Sequence, residues 1–348
     1  MRWRVGYAVK ALLAHTLYSL GVLDLWRSRA LRQRAVVLMY HRVLSAEARA
    51  ATASHPGYLL SDATFARQMA YLKRCFTVLS ERQFVQHLDE GRPFPDSSCL
   101  ITFDDGWHDN LTHALPVLRR HDLPATIYLP VNFVGSRRLF WREGLTHGLV
   151  AAVQRVRSGA EPERLRAVLR AHGFEEVLAV TDNDPRRAVV EIVAQQARRG
   201  RQDDGALLDA LQNILHVDIE ALPTPDTFLS WAEVADMAAA GVSFGAHGVE
   251  HRLLGALPHA EAEHEVRESK RVVADHVDGP VLGISYPNGS VTPAVRAMVA
   301  AAGYRVAYTT EPGTVAAGDD RFMIKRVNVH EDMTGSTPMF LARIVGLF

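Results

Sequence analysis

Cysteine is nearly missing from this chain: Cys75 and Cys99 are the only two in 348 residues. They make neither a disulfide framework nor a cysteine-based zinc spacing, and both read as ordinary buried or half-buried thiols. Net charge is missing too. Lys plus Arg and Asp plus Glu both number 39, so no basic excess points toward nucleic acid. What is present is 48% hydrophobic and 22% charged residues, enough for one large domain or two medium ones with a proper core.

No uninterrupted apolar run is long enough to span a bilayer. The N-terminus comes nearest, with "MRWRVGYAVKALLAHTLYSLGVLDLW". His15, Thr16, Tyr18 and Ser19 interrupt its apolar middle, and "RSRALRQRA" stands where a signal peptide would carry a small-residue cleavage site. On a helical wheel Val5, Val9, Leu12, Leu13, Leu20 and Leu23 share one face. Residues 1–33 therefore read as an amphipathic helical segment. It either docks on the rest of the protein or touches a membrane surface peripherally through residues 1–25. The chain reads as unexported and cytoplasmic, with the inner membrane as the surface for any such contact.

From residue 34 strand and helix signals alternate. "RAVVLMYHRV" and "CLITF" are apolar strands, "SDATFARQMAYLKRCF" is a capped helix, "THALPVLRRHDL" is a helix with an early proline, and "PATIYLPV" is another strand. This rhythm predicts an α/β fold with a parallel sheet or barrel. It stops near residue 140, and 140–225 is helix-forming, Arg-rich and poor in strands, which predicts a helical insertion. After "LPTPDTF" the alternation resumes to the end, so 34–139 and 226–348 form the core.

The chemistry gathers at strand ends. In "CLITFDDGWHDN" (99–110) a buried strand runs into adjacent acids, Asp104 and Asp105. A lone pair of this kind equally well caps a helix and solvates a turn. A second strand end, "FGAHGVEHRLL", supplies His247 and His251 four apart among small residues. Two imidazoles and a carboxylate make a divalent-metal triad with a position left for water.

"TFDDG" (102–106), "HGVEH" (247–251) and "YPNG" (286–289) resemble the first three motifs of the polysaccharide deacetylases, the NodB-homology or carbohydrate esterase family 4 group. The resemblance implies a distorted (β/α) barrel of the NodB-homology type and a metal-dependent hydrolase acting on N-acetylated amino sugars. It assigns the metal, Zn2+ by ligand preference, to Asp105, His247 and His251. Asp104 becomes the general base, and a backbone N–H near Asn288 becomes an oxyanion donor. The general acid is His41, because "LMYHRV" resembles the subgroup with a rearranged motif order; His330 in "VNVH" is the second candidate. Where many members carry an Arg in the third motif, this chain has Ser285, and Arg326 is placed to compensate from another strand. Trp107, Trp141 and Tyr286 are the aromatic candidates for stacking on sugar. The expected role is removal of N-acetyl groups from a bacterial polysaccharide or lipid-linked saccharide during exopolysaccharide assembly. Two alternatives are a superfamily amidase acting on a non-sugar C–N bond and a non-catalytic glycan-binding protein. The second has no need for a free acid beside a metal ligand.

Overall fold

The computed structural model describes residues 2–159, 162–182, 184–199 and 205–348, with no side-chain description for 2–5 and 162. The chain forms two compact units, one from residues 1–46, 56–136 and 228–348, the other from 47–55 and 137–227.

The first unit is built on strands β1 (Ala35–Tyr40), β2 (Arg42–Leu44), β3 (Leu59–Ser61), β4 (Thr77–Leu79), β5 (Ser98–Phe103), β6 (Thr126–Leu129), β7 (Ser243–Ala246), β8 (Gly283–Ser285), β9 (Val306–Tyr308), β10 (Thr314–Val315) and β11 (Val327–Asn328). The main sheet runs β10-β1-β5-β6-β7-β8-β9, with β11 parallel to β1 and β4 parallel to β5; β2 and β3 pair separately. From β1 to β9 every neighbouring pair is parallel. The sheet curls into an open, distorted barrel. Beyond β9 its edge meets the segment leading into β11 through the Tyr308–Ile324 bridge and the backbone hydrogen bonds around it.

Parallel strands covered on both faces need apolar residues at odd and even positions alike, and β1 and β5 are buried throughout. The two parities enter different cores. Val36, Leu38, Tyr40, Ile101, Phe103, Phe244, Ile284, Tyr286 and Val327 join the larger cluster under the outer helices. Ala35, Val37, Leu100, Tyr128, Val306 and Tyr308 fill the barrel interior.

In the second unit four helices, Trp141–Arg157, Pro162–Ala171, Arg186–Arg198 and Gly205–Leu215, bury one apolar face each. Leu145, Leu149 and Val153, then Leu207, Leu211 and Leu215, repeat at the four-residue spacing that stacks side chains on one helical face. The short segment 47–55 belongs here as well, which no sequence pattern indicated. Asp226 accepts hydrogen bonds from Thr52 Oγ1 (2.5 Å), Ala53 N (2.8 Å) and His147 Nε2 (2.9 Å).

The N-terminus corrects the wheel. It is two helices, Arg2–Ser19 and Val22–Ala30, bent by 87° at Leu20 and Gly21, where Gly21 has φ 71. The predicted face is therefore split, and Val5 lies among the undescribed side chains. The surface that packs on the fold carries Ala14 and Leu23, with Tyr7, Ala11, Leu17 and Tyr18 partly buried beside them; Leu12 and Leu20 stand exposed. Among the described residues no single helix is long and apolar enough to cross a membrane, although this bent pair passes by length and composition together.

Inside the barrel, Glu81 is buried at the start of the helix Glu81–Asp89 and accepts hydrogen bonds from Tyr128 Oη (2.6 Å) and Tyr308 Oη (3.1 Å). Burial pushes its carboxyl up to about 7, although the two hydroxyls work the other way. A folded-state value above the unfolded one means stability is fullest at low pH and declines as pH rises toward 7. Unfolding titrations near pH 5 and pH 8 should show wild type losing roughly 3 kcal/mol relative to Glu81→Gln across that interval. Parallel pH dependence in the two proteins would contradict it.

Candidate metal centre

β5 ends where the chain turns. Asp104 still donates its N–H to Tyr40 O (3.0 Å), whereas Asp105 (φ 77) and Gly106 (φ 68) both take the left-handed conformation. A side chain on Gly106 would meet Leu129 Cδ2 at 2.5 Å, so glycine is required there. Asp105 carries the conformational cost, of the order of 1–3 kcal/mol for a non-glycine residue. His251 is also left-handed, at φ 53. Strain thus collects at two of the proposed ligands.

Asp104 continues the inward parity of Leu100 and Thr102 and meets Arg326, which is fully buried. Arg326 Nη1 reaches Asp104 Oδ1 at 2.8 Å and Nη2 reaches Oδ2 at 2.7 Å, a bidentate pair. Nη2 also donates to Ser285 Oγ (2.8 Å), which donates to Asp104 Oδ2 (3.1 Å), and Nε donates to Thr309 O (2.9 Å). Burial pushes the Asp104 carboxyl up, but the charges of Arg326 and His247 outweigh it and hold the group below the usual carboxylate range. Arg326 thus contacts Asp104 from the segment just before β11.

Asp105 turns to the histidines. Its Oδ1 lies 3.4 Å from His247 Nε2 and 3.5 Å from His251 Nε2. One ligand atom from each of the three falls within 4.8 Å of the others. His247 Nδ1 donates to Ser285 O (2.7 Å), which fixes the ring and turns Nε2 toward Asp105 Oδ1. Trp107 Nε1 donates to Asp105 Oδ2 (3.0 Å) and so orients the other carboxylate oxygen away. Burial opposes ionisation of Asp105, yet His247, His251 and His41 together bring it well below its ordinary value. One anionic oxygen converging with two imidazole nitrogens, each class a common ligand of divalent cations, fits a metal ion.

The loop bearing the histidines is held from below. Glu265 is buried and accepts from Val249 N (2.6 Å) and Glu250 N (3.1 Å), while Val131 N and Asn132 N donate to Gly248 O and Val249 O. Sequence reasoning missed Glu265. It sits mid-helix among other glutamates, and only its burial distinguishes it.

His41 is buried and has inward parity, two residues past Met39. Burial lowers its pKa, against the charges of Asp105 and Asp104, which raise it. Asn110 Nδ2 donates to its carbonyl (2.9 Å), and the Tyr58 ring lies 4.7 Å from the imidazole. Next to it, Arg42 donates to Asp109 Oδ2 (2.9 Å), a buried pair that sequence reasoning also missed. The β1–β11 register, Leu38 with Val327 and Met39 with Asn328, continues through Val329 N to Met39 O, so His330 and His41 follow the ends of paired strands. His330 is half-buried at the start of the helix Glu331–Thr334, and its carbonyl accepts from Thr334 Oγ1 (2.7 Å).

The three aromatic candidates occupy different places. Trp107 is buried, its ring stacked on Phe228 (4.4 Å) and 4.3 Å from the Arg42 guanidinium. Tyr286 has outward parity and donates to Phe322 O (3.2 Å), so it sits on the opposite side of the sheet from Ser285. Trp141 begins the first helix of the second unit and packs on that unit's own core. Asn288 is exposed, left-handed at φ 51, in the turn Pro287–Gly289 that follows β8.

Comparison with known proteins bears on the family and the fold. A family profile described as polysaccharide deacetylase matches residues 91–307. The chain is 28% identical over 108 residues to YxkH of Bacillus subtilis. It is 29% identical over 113 residues to the poly-beta-1,6-N-acetyl-D-glucosamine N-deacetylase of Staphylococcus epidermidis. These matches cover 31% and 30% of this chain, and 39% of each curated relative. Among solved structures it resembles the Streptococcus pyogenes deacetylase PplD in complex with acetate, at TM-score 0.57 and 16% identity, covering 90% of this chain and 98% of that one. IcaB from Ammonifex degensii matches at TM-score 0.57 and 18% identity, covering 90% and 97%.

The indole hydrogen bond to Asp105 yields a test. Trp107→Phe keeps the stacking and removes the donor, so divalent-metal affinity, measured by competition with a chromophoric chelator, should fall about 10–100-fold. Unchanged affinity would mean that Trp107 only packs.

Proposed function

The chain belongs to the polysaccharide deacetylase family, and from that membership we propose that it is a metal-dependent N-deacetylase. Its proposed substrate is an N-acetylhexosamine in a bacterial polysaccharide or lipid-linked saccharide, in exopolysaccharide biosynthesis. The observation that carries the reading is the pairing of two unlike carboxylates at one barrel mouth. One converges with two histidines, and the other is held by an arginine outside that ligand set. The name of the Staphylococcus epidermidis relative favours N-acetylglucosamine, and the acetate in the Streptococcus pyogenes structure suits the expected product.

Asp105, His247 and His251 would hold the metal. A divalent cation there, Zn2+ by the preference of such ligands, would act as a Lewis acid toward the acetamide carbonyl and make water acidic enough to attack near neutral pH. Asp104, fixed in orientation by Arg326 and Ser285, takes the proton from the attacking water. A backbone N–H near Asn288 faces the developing oxyanion, a contact typically worth about 3–4 kcal/mol in the barrier. As the C–N bond breaks, His41 gives its proton to the amine nitrogen and acetate departs. His41 is preferred to His330 because it is buried with inward parity directly beyond β1, the strand paired with the β5 strand that leads into both acids. The helical stretch 140–225 is proposed to be an insertion in the deacetylase domain.

Acetate release from a panel of N-acetylated saccharides, with and without chelator, tests the reading; release insensitive to chelator would overturn it. Asp105→Ala, His247→Ala and His251→Ala should each lose metal, while Asp104→Asn should keep the metal and lose turnover. Equal metal loss in Asp104→Asn would reject the division between the two acids.

The general acid is decided by two variants side by side. His41→Ala should lower kcat by about 10²–10⁴-fold with metal content unchanged, and His330→Ala should do less. The opposite ranking would move the role to His330.

A further inference from the structure

The large apolar side chains that stand exposed in the described structure all lie between residues 9 and 26. Val9, Leu12, Leu13 and Leu20 line one side of the first helix and its end, and Leu25 and Trp26 continue the surface onto the second. Leu12 is 71% exposed and Leu20 70%, values ordinary for lysine rather than leucine. The helices are not loose. Ala14 and Leu23 are fully buried, Lys10 Nζ lies 5.3 Å from the Phe348 ring, and Arg27 Nη1 donates to Cys75 O (2.8 Å) and Ser97 Oγ (2.7 Å). The pair is anchored by one side and presents leucines on the other.

Charge says what covers that side. Residues 1–34 contain seven Arg and Lys and a single acid, Asp24, in a chain whose totals balance at 39 and 39; Lys10, Arg27 and Arg34 are engaged with the fold, while Arg29 and Arg32 stand exposed. A second copy would set this excess against itself. An anionic lipid surface is complementary to it: aliphatic chains and a tryptophan enter the headgroup boundary while the flanking basic groups meet phosphates. We infer that the exposed face of these two helices docks the protein on an anionic membrane surface, with the helices lying in the interface. This goes beyond the catalytic reading and does not depend on it.

The test uses the full chain and vesicles of phosphatidylcholine alone or in equal parts with phosphatidylglycerol. Wild type should co-sediment with the mixed vesicles, with at least about tenfold weaker binding to the zwitterionic ones and release by salt. The Leu12→Glu/Leu20→Glu variant, altered only at exposed positions, should keep its unfolding midpoint and lose binding by about tenfold or more. As a second measurement that needs no folding comparison, the part of the wild-type emission that Trp26→Phe removes should shift to the blue on adding vesicles. Wild type that ignores anionic vesicles, or a double variant that binds them equally, overturns the inference. A dimer in sedimentation equilibrium that the double variant abolishes would give the face to a second copy instead. None of these readouts involves acetate release, so failure of the deacetylase reading would leave them intact.

Discussion

A guanidinium buried inside the barrel is the constraint on which the site depends. Arg326 enters from the segment before β11 and donates to Asp104 beyond β5, to Ser285 on β8 and to Thr309 beyond β9. It therefore joins β5 to β8 and β9, which are not its neighbours in the sheet, across the interior. A charge in that position is tolerated only while every donor has an acceptor. Removing one partner of such a buried pair typically costs about 3–5 kcal/mol, because the other is left uncompensated. The same contacts fix where Asp104 points, so the orientation of the proposed base and the curl of the sheet are one structural fact.

The two adjacent acids receive opposite treatment from their surroundings. Asp104 continues the inward alternation of its strand and meets a permanent cation. Asp105 follows a left-handed turn and meets two imidazoles and an indole N–H. Neither environment would suit the other residue's task. A carboxylate clamped on both oxygens by arginine presents little to a metal, and one converging with two histidines is not free to take a proton. The glycine after them lets the chain make that turn against Leu129.

The N-terminal helices show how a pattern can be right about composition and wrong about orientation. An apolar face is present, as the helical wheel predicts. The helix, however, carries a second, smaller apolar face with Tyr7, Ala11, Ala14 and Tyr18, and that is the one the fold covers. Small side chains permit close approach of helix axes, which favours the alanine side against the helix Thr337–Ile344, and the bulkier leucines are left outside.

The sequence alone determined what depends on neighbours along the chain. Alternating strand and helix signals marked the α/β core, the strand ends placed the paired acids and paired histidines, and the motif resemblance named the family. Tertiary structure decided what depends on residues brought together from afar. It set Arg326 on Asp104 across 222 positions and put Glu265 under the histidine loop. It also used Trp107 to hold the Asp105 carboxylate, turned Tyr286 to the outer core, and selected the alanine face of the first helix. These outcomes turn on strand register and on which of two surfaces packs better, and both are settled by contacts between distant segments that no local pattern encodes.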